Sequence, residues 1–297
     1  MDFQKQFEIY RKMVNDEIDR LFYKRECLQK SVYDAMTYSV TAGGKRIRPV
    51  LALAVGDMLG ADLEDVLKIG VAIECIHTYS LIHDDLPCMD NDDLRRGRPT
   101  CHKQFNEETA LLAGDGLLTM AFEIVSDITS YKTLAADKML KIACEIAKAA
   151  GCEGMIGGQV VDLECEGKPD VTEETLTYMH NRKTGALIKV PVVSAAIVAG
   201  ATDEQIEELS EFADNIGLAF QVQDDILDCI GDEDVLGKPI GSDAENEKTT
   251  YVTLLGLDNA RAKAEELTQS AICALECFGE KAKFLKEFAN YLMGRKN

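Results

Sequence analysis

Residues 202–231 read TDEQIEELSEFADNIGLAFQVQDDILDCIG. Ile206, Leu209, Phe212, Ala213, Ile216, Phe220, Gln223 and Leu227 recur at the spacing of one helix face. Thr202 followed by Asp203 and Glu204 is an N-cap with acid in the first turn, and Gly231 falls where the helix should stop. Working outward, the same period recurs in Val50, Leu51, Ala54, Val55 and Met58, and again in Leu67, Val71, Glu74, Cys75, Thr78, Tyr79 and Ile82. Thr172 caps another helix, while Gly60, Gly151 and Gly200 mark further stops. No run alternates between apolar and polar residues between hairpin turns, so no strand is expected. With six prolines and no Gly/Ser/Pro-rich linker, residues 1–297 are expected to form a single all-α domain, a bundle of ten or more helices. Helices that are apolar on more than one side must lie inside such a bundle, which places sites between facing helices.

Composition narrows the function. Lys and Arg number 32 against 52 Asp and Glu, a net charge of −20, which excludes binding to nucleic acid by bulk electrostatics. At 46% hydrophobic and 28% charged the chain is too apolar for disorder. The longest uncharged run, residues 190–202, is 13 residues long, short of the roughly 20 needed to span a bilayer. The opening MDFQKQFEIY has no signal-peptide pattern, so a soluble, cytoplasmic protein without a membrane span is expected. The ten cysteines show no C-x-x-C spacing, and no His stands near Cys273 and Cys277. Cys75, Cys144, Cys229 and Cys273 sit in apolar helical stretches, where free thiols are expected to act as small buried hydrophobes in a reducing compartment.

Two acidic clusters interrupt this pattern. One is Asp84, Asp85 and Asp90 with Asp92 and Asp93 behind them; the other is Asp224, Asp225 and Asp228. Each ends a long apolar helix, where the helix dipole disfavours negative charge, so the carboxylates require a counter-cation. Asp224 and Asp228 are four residues apart and share a face. Asp84 and Asp90 are about 120° apart on a straight helix, but Pro87 should break it and let Asp90 swing back. All-carboxylate sites select hard ions, Mg2+ above all, which binds through few carboxylates plus substrate phosphates. Cations are also present: Lys45, Arg46 and Arg48 on a Gly-rich turn, Arg95, Arg96 and Arg98 behind the first cluster, Lys183 in a KTG stretch, and Lys238 and Lys248 after the second cluster. Together these describe two phosphorylated ligands, one bridged by metal and one held by Lys and Arg alone. No Walker A or G-x-G-x-x-G motif occurs. The glycines of residues 151–158 read as helix punctuation or close packing, and His102 and His180 as core or surface.

GGKRIRP, the D-D-x-x-x-x-D of residues 84–90 with DDLRRG behind it, KTG, FQVQDDILD and GKPIGSDAENEKTTY resemble the short-chain trans-isoprenyl diphosphate synthases, with the bacterial farnesyl diphosphate synthases the nearest group. The resemblance runs from about residue 30 to residue 256. It implies a homodimeric all-α enzyme with a deep central cavity, in which about three Mg2+ ions bridge aspartates and an allylic diphosphate. Asp84, Asp90 and Asp224 then match the main metal ligands, with Asp85, Asp225 and Asp228 supporting. Arg95, Lys183 and Lys238 match contacts to the allylic diphosphate. Lys45, Arg48, His77 and Arg96, with the backbone of Gly44, match the isopentenyl diphosphate site, and Thr184 and Gln221 match groups near the reacting carbons. Gln159 and Asp162 also match family positions.

The implied chemistry is ionisation of the allylic substrate, attack by the isopentenyl double bond and loss of a proton; no side-chain nucleophile is required. A terpene cyclase would have no use for a second diphosphate site at Lys45 and Arg48, and a non-catalytic synthase subunit would be expected to have lost aspartates. Product length turns on Tyr79, about 1.4 turns before Asp84, since Ser80 is too small to stop a growing chain. On its stripe alone Tyr79 reads equally as a core aromatic. The resemblance, in which a bulky residue there limits the chain, favours a C15 product, farnesyl diphosphate, over the C20 alternative.

Overall fold

The computed structural model describes residues 2–168, 170–230 and 249–294. Almost all of their regular structure is helical, as the periodicity requires. The chain divides into two compact units, Met1–Cys144 with Ile197–Ala199, and Glu145–Ala196 with Gly200–Asn297.

The first unit holds α1 (Phe3–Leu21), α2 (Lys30–Val40), α3 (Ile47–Leu59), α4 (Leu63–Asp84), the short α5 (Cys101–Gln104), α6 (Glu107–Ser126) and the start of α7 (Ala136–Ala150). Helix α4 is its centre and packs against α3 and α6. Asp62 caps it by accepting the Glu64 and Asp65 N–H groups, and most of its side chains are buried. Asp65, fully buried, ties down the connection between α6 and α7: it accepts from the backbone of Lys132 and Thr133 and from the Thr133 hydroxyl. Burial would push its carboxyl up, but these donors hold it below the usual range.

Two features of this unit depart from expectation. A minimal antiparallel hairpin, β1 (Leu94–Arg95) and β2 (Arg98–Pro99), is present; at two residues per strand it is too short for any alternation to show. Its turn places Arg96 and Gly97 at φ 55° and 72°. Helix α6 is, among the described residues, long and apolar enough to cross a membrane, with a mean hydropathy of 1.3 over 18 residues. Asp115 and Glu123 interrupt that stretch, so a search for uncharged runs passes over it. In the fold α6 packs against α4 and α2, with Ala110, Ala113, Gly114, Leu117, Ala121 and Val125 buried.

The second unit holds α8 (Met155–Cys165), α9 (Glu173–His180), a π-helical turn (Asn181–Gly185), most of α10 (Ala186–Ala199), α11 (Asp203–Ile230), α12 (Tyr251–Leu255), α13 (Leu257–Ala274) and α14 (Lys283–Met293). The stretch quoted first is one continuous helix. Thr202 and Gln205 exchange side chain-to-backbone hydrogen bonds at its start, a reciprocal cap. Helix α11 packs along α13, and Leu176, Met179, Leu218, Val222, Ile226, Tyr251, Ala260 and Ala264 form a core cluster. The expected stop at Gly231 lies outside the described residues.

All ten cysteines are free thiols. Of the four expected to be buried, Cys75 alone is; Cys144, Cys229 and Cys273 are exposed. They lie on helices whose apolar stripe is flanked by outward positions, and a thiol is small enough to sit there without penalty.

Candidate active site

In the first unit α4 ends at Asp84, with Asp85 as its C-cap. The break ahead of Pro87 folds the chain back so that the Asp90 N–H donates to the Asp84 carbonyl at 2.9 Å. The two aspartates that a straight helix would separate are therefore adjacent in backbone. Asp85 turns inward: it is buried and accepts from Arg95 Nε at 2.8 Å, and Arg95 also reaches Asp92 at 3.2 Å. Burial pushes the Asp85 carboxyl above its ordinary range, and Arg95 offsets part of that.

The Gly-rich turn lies in the same unit. Gly43, Gly44 and Arg46 all have positive φ. A Cβ on Gly44, already at φ 117°, would fall 2.7 Å from the Arg96 guanidinium carbon, so the guanidinium packs here against bare backbone. Arg96 also donates to the Gly43 carbonyl. Arg48, whose Nε is buried without a partner, is pushed down to about 10 by burial. His77 is held well below the usual imidazole range, first by burial and then by Arg48, Arg96, Arg95 and Arg46. The imidazole is thus neutral in a strongly positive surrounding.

Arg46 departs from the expected trio of anion-binding cations. It is buried and paired with Glu74 at 2.9 Å. The signal was present as Glu74, a charge on an otherwise apolar stripe. Tyr79 is buried, with its ring edge-on to His83 at 5.6 Å and its hydroxyl unpartnered. Burial and the Asp84 charge push that phenol up to about 12. The Ser80 hydroxyl donates back to the His77 carbonyl.

The second unit carries a cavity of about 230 Å3, lined by Asp162, His180, Lys183, Thr184, Gln221 and the carboxylates Asp224, Asp225 and Asp228 among others. Lys183 and Thr184 reach it from the π-helical turn, a distortion frequent at functional sites. Gly158 makes that turn possible, because a Cβ there would collide with the Lys183 backbone. Lys183 is paired with Asp162. Thr184 donates to Gln221 Oε1, and Gln221 Nε2 to Asp224 at 3.4 Å. Asp225 accepts the Tyr251 N–H at 2.7 Å at the start of α12. His180, read from sequence as core or surface, lines this cavity, stacked on Tyr251. Burial pushes it down to about 4, and its Nε2 is unpartnered. Its place one turn before Lys183 was the available signal. Lys238 and Lys248 lie outside the described residues.

Among the described residues no three His, Cys, Asp or Glu side chains form a ready-made metal cage. The available donors are carboxylates, which fits a hard ion completed by substrate phosphates.

The family description Polyprenyl synthetase matches residues 29–288. The chain is similar to the farnesyl diphosphate synthase of Bacillus subtilis (strain 168), 51% identical over 235 residues that cover 79% of each chain. It is also similar to the geranylgeranyl diphosphate synthase of Cyanophora paradoxa, 45% identical over 266 residues, 90% of this chain and 88% of that one. A crystal structure of an FPP/GFPP synthase from Zymomonas mobilis superposes with a TM-score of 0.87 at 37% identity and covers 98% of both chains.

Proposed function

The chain belongs to the polyprenyl synthetase family and is a trans-prenyltransferase, and on that premise we propose that it condenses isopentenyl diphosphate with dimethylallyl and geranyl diphosphates to give (2E,6E)-farnesyl diphosphate. The observation that carries the reading is the recurrence of one arrangement in both units: carboxylates at the end of an apolar helix with fixed cations beside them. The reading treats residues 1–297 as one catalytic domain, homodimeric and cytoplasmic.

In this reading Asp84, Asp90 and Asp224 hold Mg2+, with Asp85 and Asp228 supporting. The metal, when bound, neutralises the charge that develops on the departing diphosphate. Arg95, Lys183 and Lys238 grip the same diphosphate, so the carbon–oxygen bond breaks into a field already arranged for it. The Thr184 hydroxyl and the Gln221 amide offer dipoles to the allylic cation. Lys45, Arg48, Arg96 and neutral His77, with the Gly44 backbone, orient isopentenyl diphosphate, whose double bond attacks. The proton lost afterwards goes to an oxygen of the departed diphosphate, so the chain supplies no side-chain base.

The C15 limit rests on Tyr79, whose buried ring lies one and a half turns from the end of α4. Product analysis with isopentenyl diphosphate and each primer tests both parts. Wild type should stop at C15, and Tyr79→Ala should shift products to C20 and beyond with metal dependence intact. C20 as the main wild-type product would favour the geranylgeranyl alternative, and a Tyr79→Ala enzyme that still stops at C15 would show that this ring is not the floor. No condensation with any primer would overturn the reading.

A further inference from the structure

The turn that carries Lys45 and Arg48 has an unusual keystone. Arg46, with φ 54° and ψ 36°, opens α3 in the left-handed region, a conformation that a non-glycine residue keeps only when its surroundings over-determine it. Its guanidinium uses its whole fork. Nε donates to Asn15 on α1 at 3.1 Å, Nη2 to the Val40 carbonyl at the end of α2 at 2.6 Å, and Nη1 to Glu74 on α4 at 2.9 Å. Both charged side chains are nearly fully buried, at 2% and 3% exposure.

A buried ion pair of this kind is seldom worth more to stability than well-packed apolar residues, so stability alone does not account for it. Its position does. Arg46 sits between Lys45 and Arg48 in sequence, and Glu74 is three residues, one helical turn, before His77 on α4. The Glu74 charge also favours the charged forms of Arg48 and Arg96.

We propose that Arg46 and Glu74 are positioning residues for the isopentenyl diphosphate subsite: the pair locks the left-handed turn that presents Lys45 and Arg48, and Glu74 is the buried counter-charge that lets several cations gather before the diphosphate arrives. This rests on the assignment of that subsite in the proposed function.

The test is steady-state kinetics with isopentenyl and geranyl diphosphates, run beside thermal unfolding. Arg46→Lys keeps the charge but cannot span three acceptors. It should raise the KM for isopentenyl diphosphate by about tenfold, the scale for losing a residue that orients a working group, with the KM for geranyl diphosphate and kcat within about twofold. The double variant Arg46→Met/Glu74→Leu replaces the pair with apolar side chains, keeps the helices folded, and should show the same selective rise. A drop in Tm with the ratio of the two KM values unchanged in both variants would make the pair purely structural and overturn the proposal. Equal rises for both substrates would overturn it too. Wild type and Lys45→Ala are assayed alongside. If wild type condenses and Lys45→Ala raises the KM for isopentenyl diphosphate, the subsite stands and a silent Arg46→Lys refutes the inference alone. If Lys45→Ala spares that KM, the subsite assignment itself has failed.

Discussion

The two acidic helix ends look alike in sequence and differ in what their second aspartate does. In the first unit Asp85 accepts from the side chain of Arg95, a cation that also touches Asp92. In the second, Asp225 accepts from a backbone N–H, that of Tyr251, and Lys183, a cation of that half-site, is held by Asp162 from another helix. A guanidinium can turn toward an arriving diphosphate; a peptide N–H cannot. The first doublet thus holds a guanidinium beside the acid motif, while the second also fixes where a helix begins. Adjacent aspartates in a motif do not announce which of these they do.

The comparison predicts equality at the first aspartates and difference elsewhere. Asp84→Ala and Asp224→Ala should each slow condensation by at least about 100-fold, the scale for losing an electrostatic stabiliser, and EDTA should abolish turnover. Losses below tenfold in both variants, or full activity in EDTA, would overturn the metal-bridged mechanism at both ends. The cations should then part the two half-sites. Lys45→Ala should raise the KM for isopentenyl diphosphate by about 30-fold, worth one charge-assisted hydrogen bond, and spare geranyl diphosphate. Lys238→Ala should do the reverse and lower kcat as well, since its partner is the leaving group.

The second aspartates give the sharper contrast. Asp85→Asn releases Arg95 and should lower kcat about tenfold. Asp225→Asn leaves an acceptor oxygen for Tyr251 and should stay within about threefold. Equal kcat values would show that Asp85 does not work through Arg95. The smallest effect is on stability. Because burial raises the Asp85 carboxyl in the folded chain, the native state holds that proton more tightly than the unfolded one. The resulting stability is present below the ordinary carboxylate pKa of about 4 and lost as pH rises through the raised value. Urea midpoints without metal should therefore show wild type falling relative to Asp85→Asn as pH rises. The opposite trend would mean that Arg95 outweighs burial.

Much of this was legible because local chemistry decided it. Pro87 forecast the break that brings the Asp90 N–H to the Asp84 carbonyl, and the polar KTG in an apolar helix marked the turn that lines the second cavity. What escaped depended on direction. Periodicity placed Arg46 on a basic turn but could not show that a left-handed backbone sends its side chain inward to Glu74. The same limit hid His180, and it put Cys144, Cys229 and Cys273 inside when they are exposed. A helical stripe says which residues share a face, but not which way a small or amphipathic side chain at its margin finally turns.

The π-helical turn at Asn181–Gly185 has a consequence for the phase of the chain. Such a turn holds one residue more than an α-helix would use, and one residue is about 100° of rotation. Helices α9 and α10 are therefore out of step, so neither apolar stripe can be extrapolated into the other. A substitution within the turn changes one side chain. Deleting a single residue there would instead re-phase everything on one side of it, swinging Lys183 and Thr184 away from the cavity while leaving the helix unbroken.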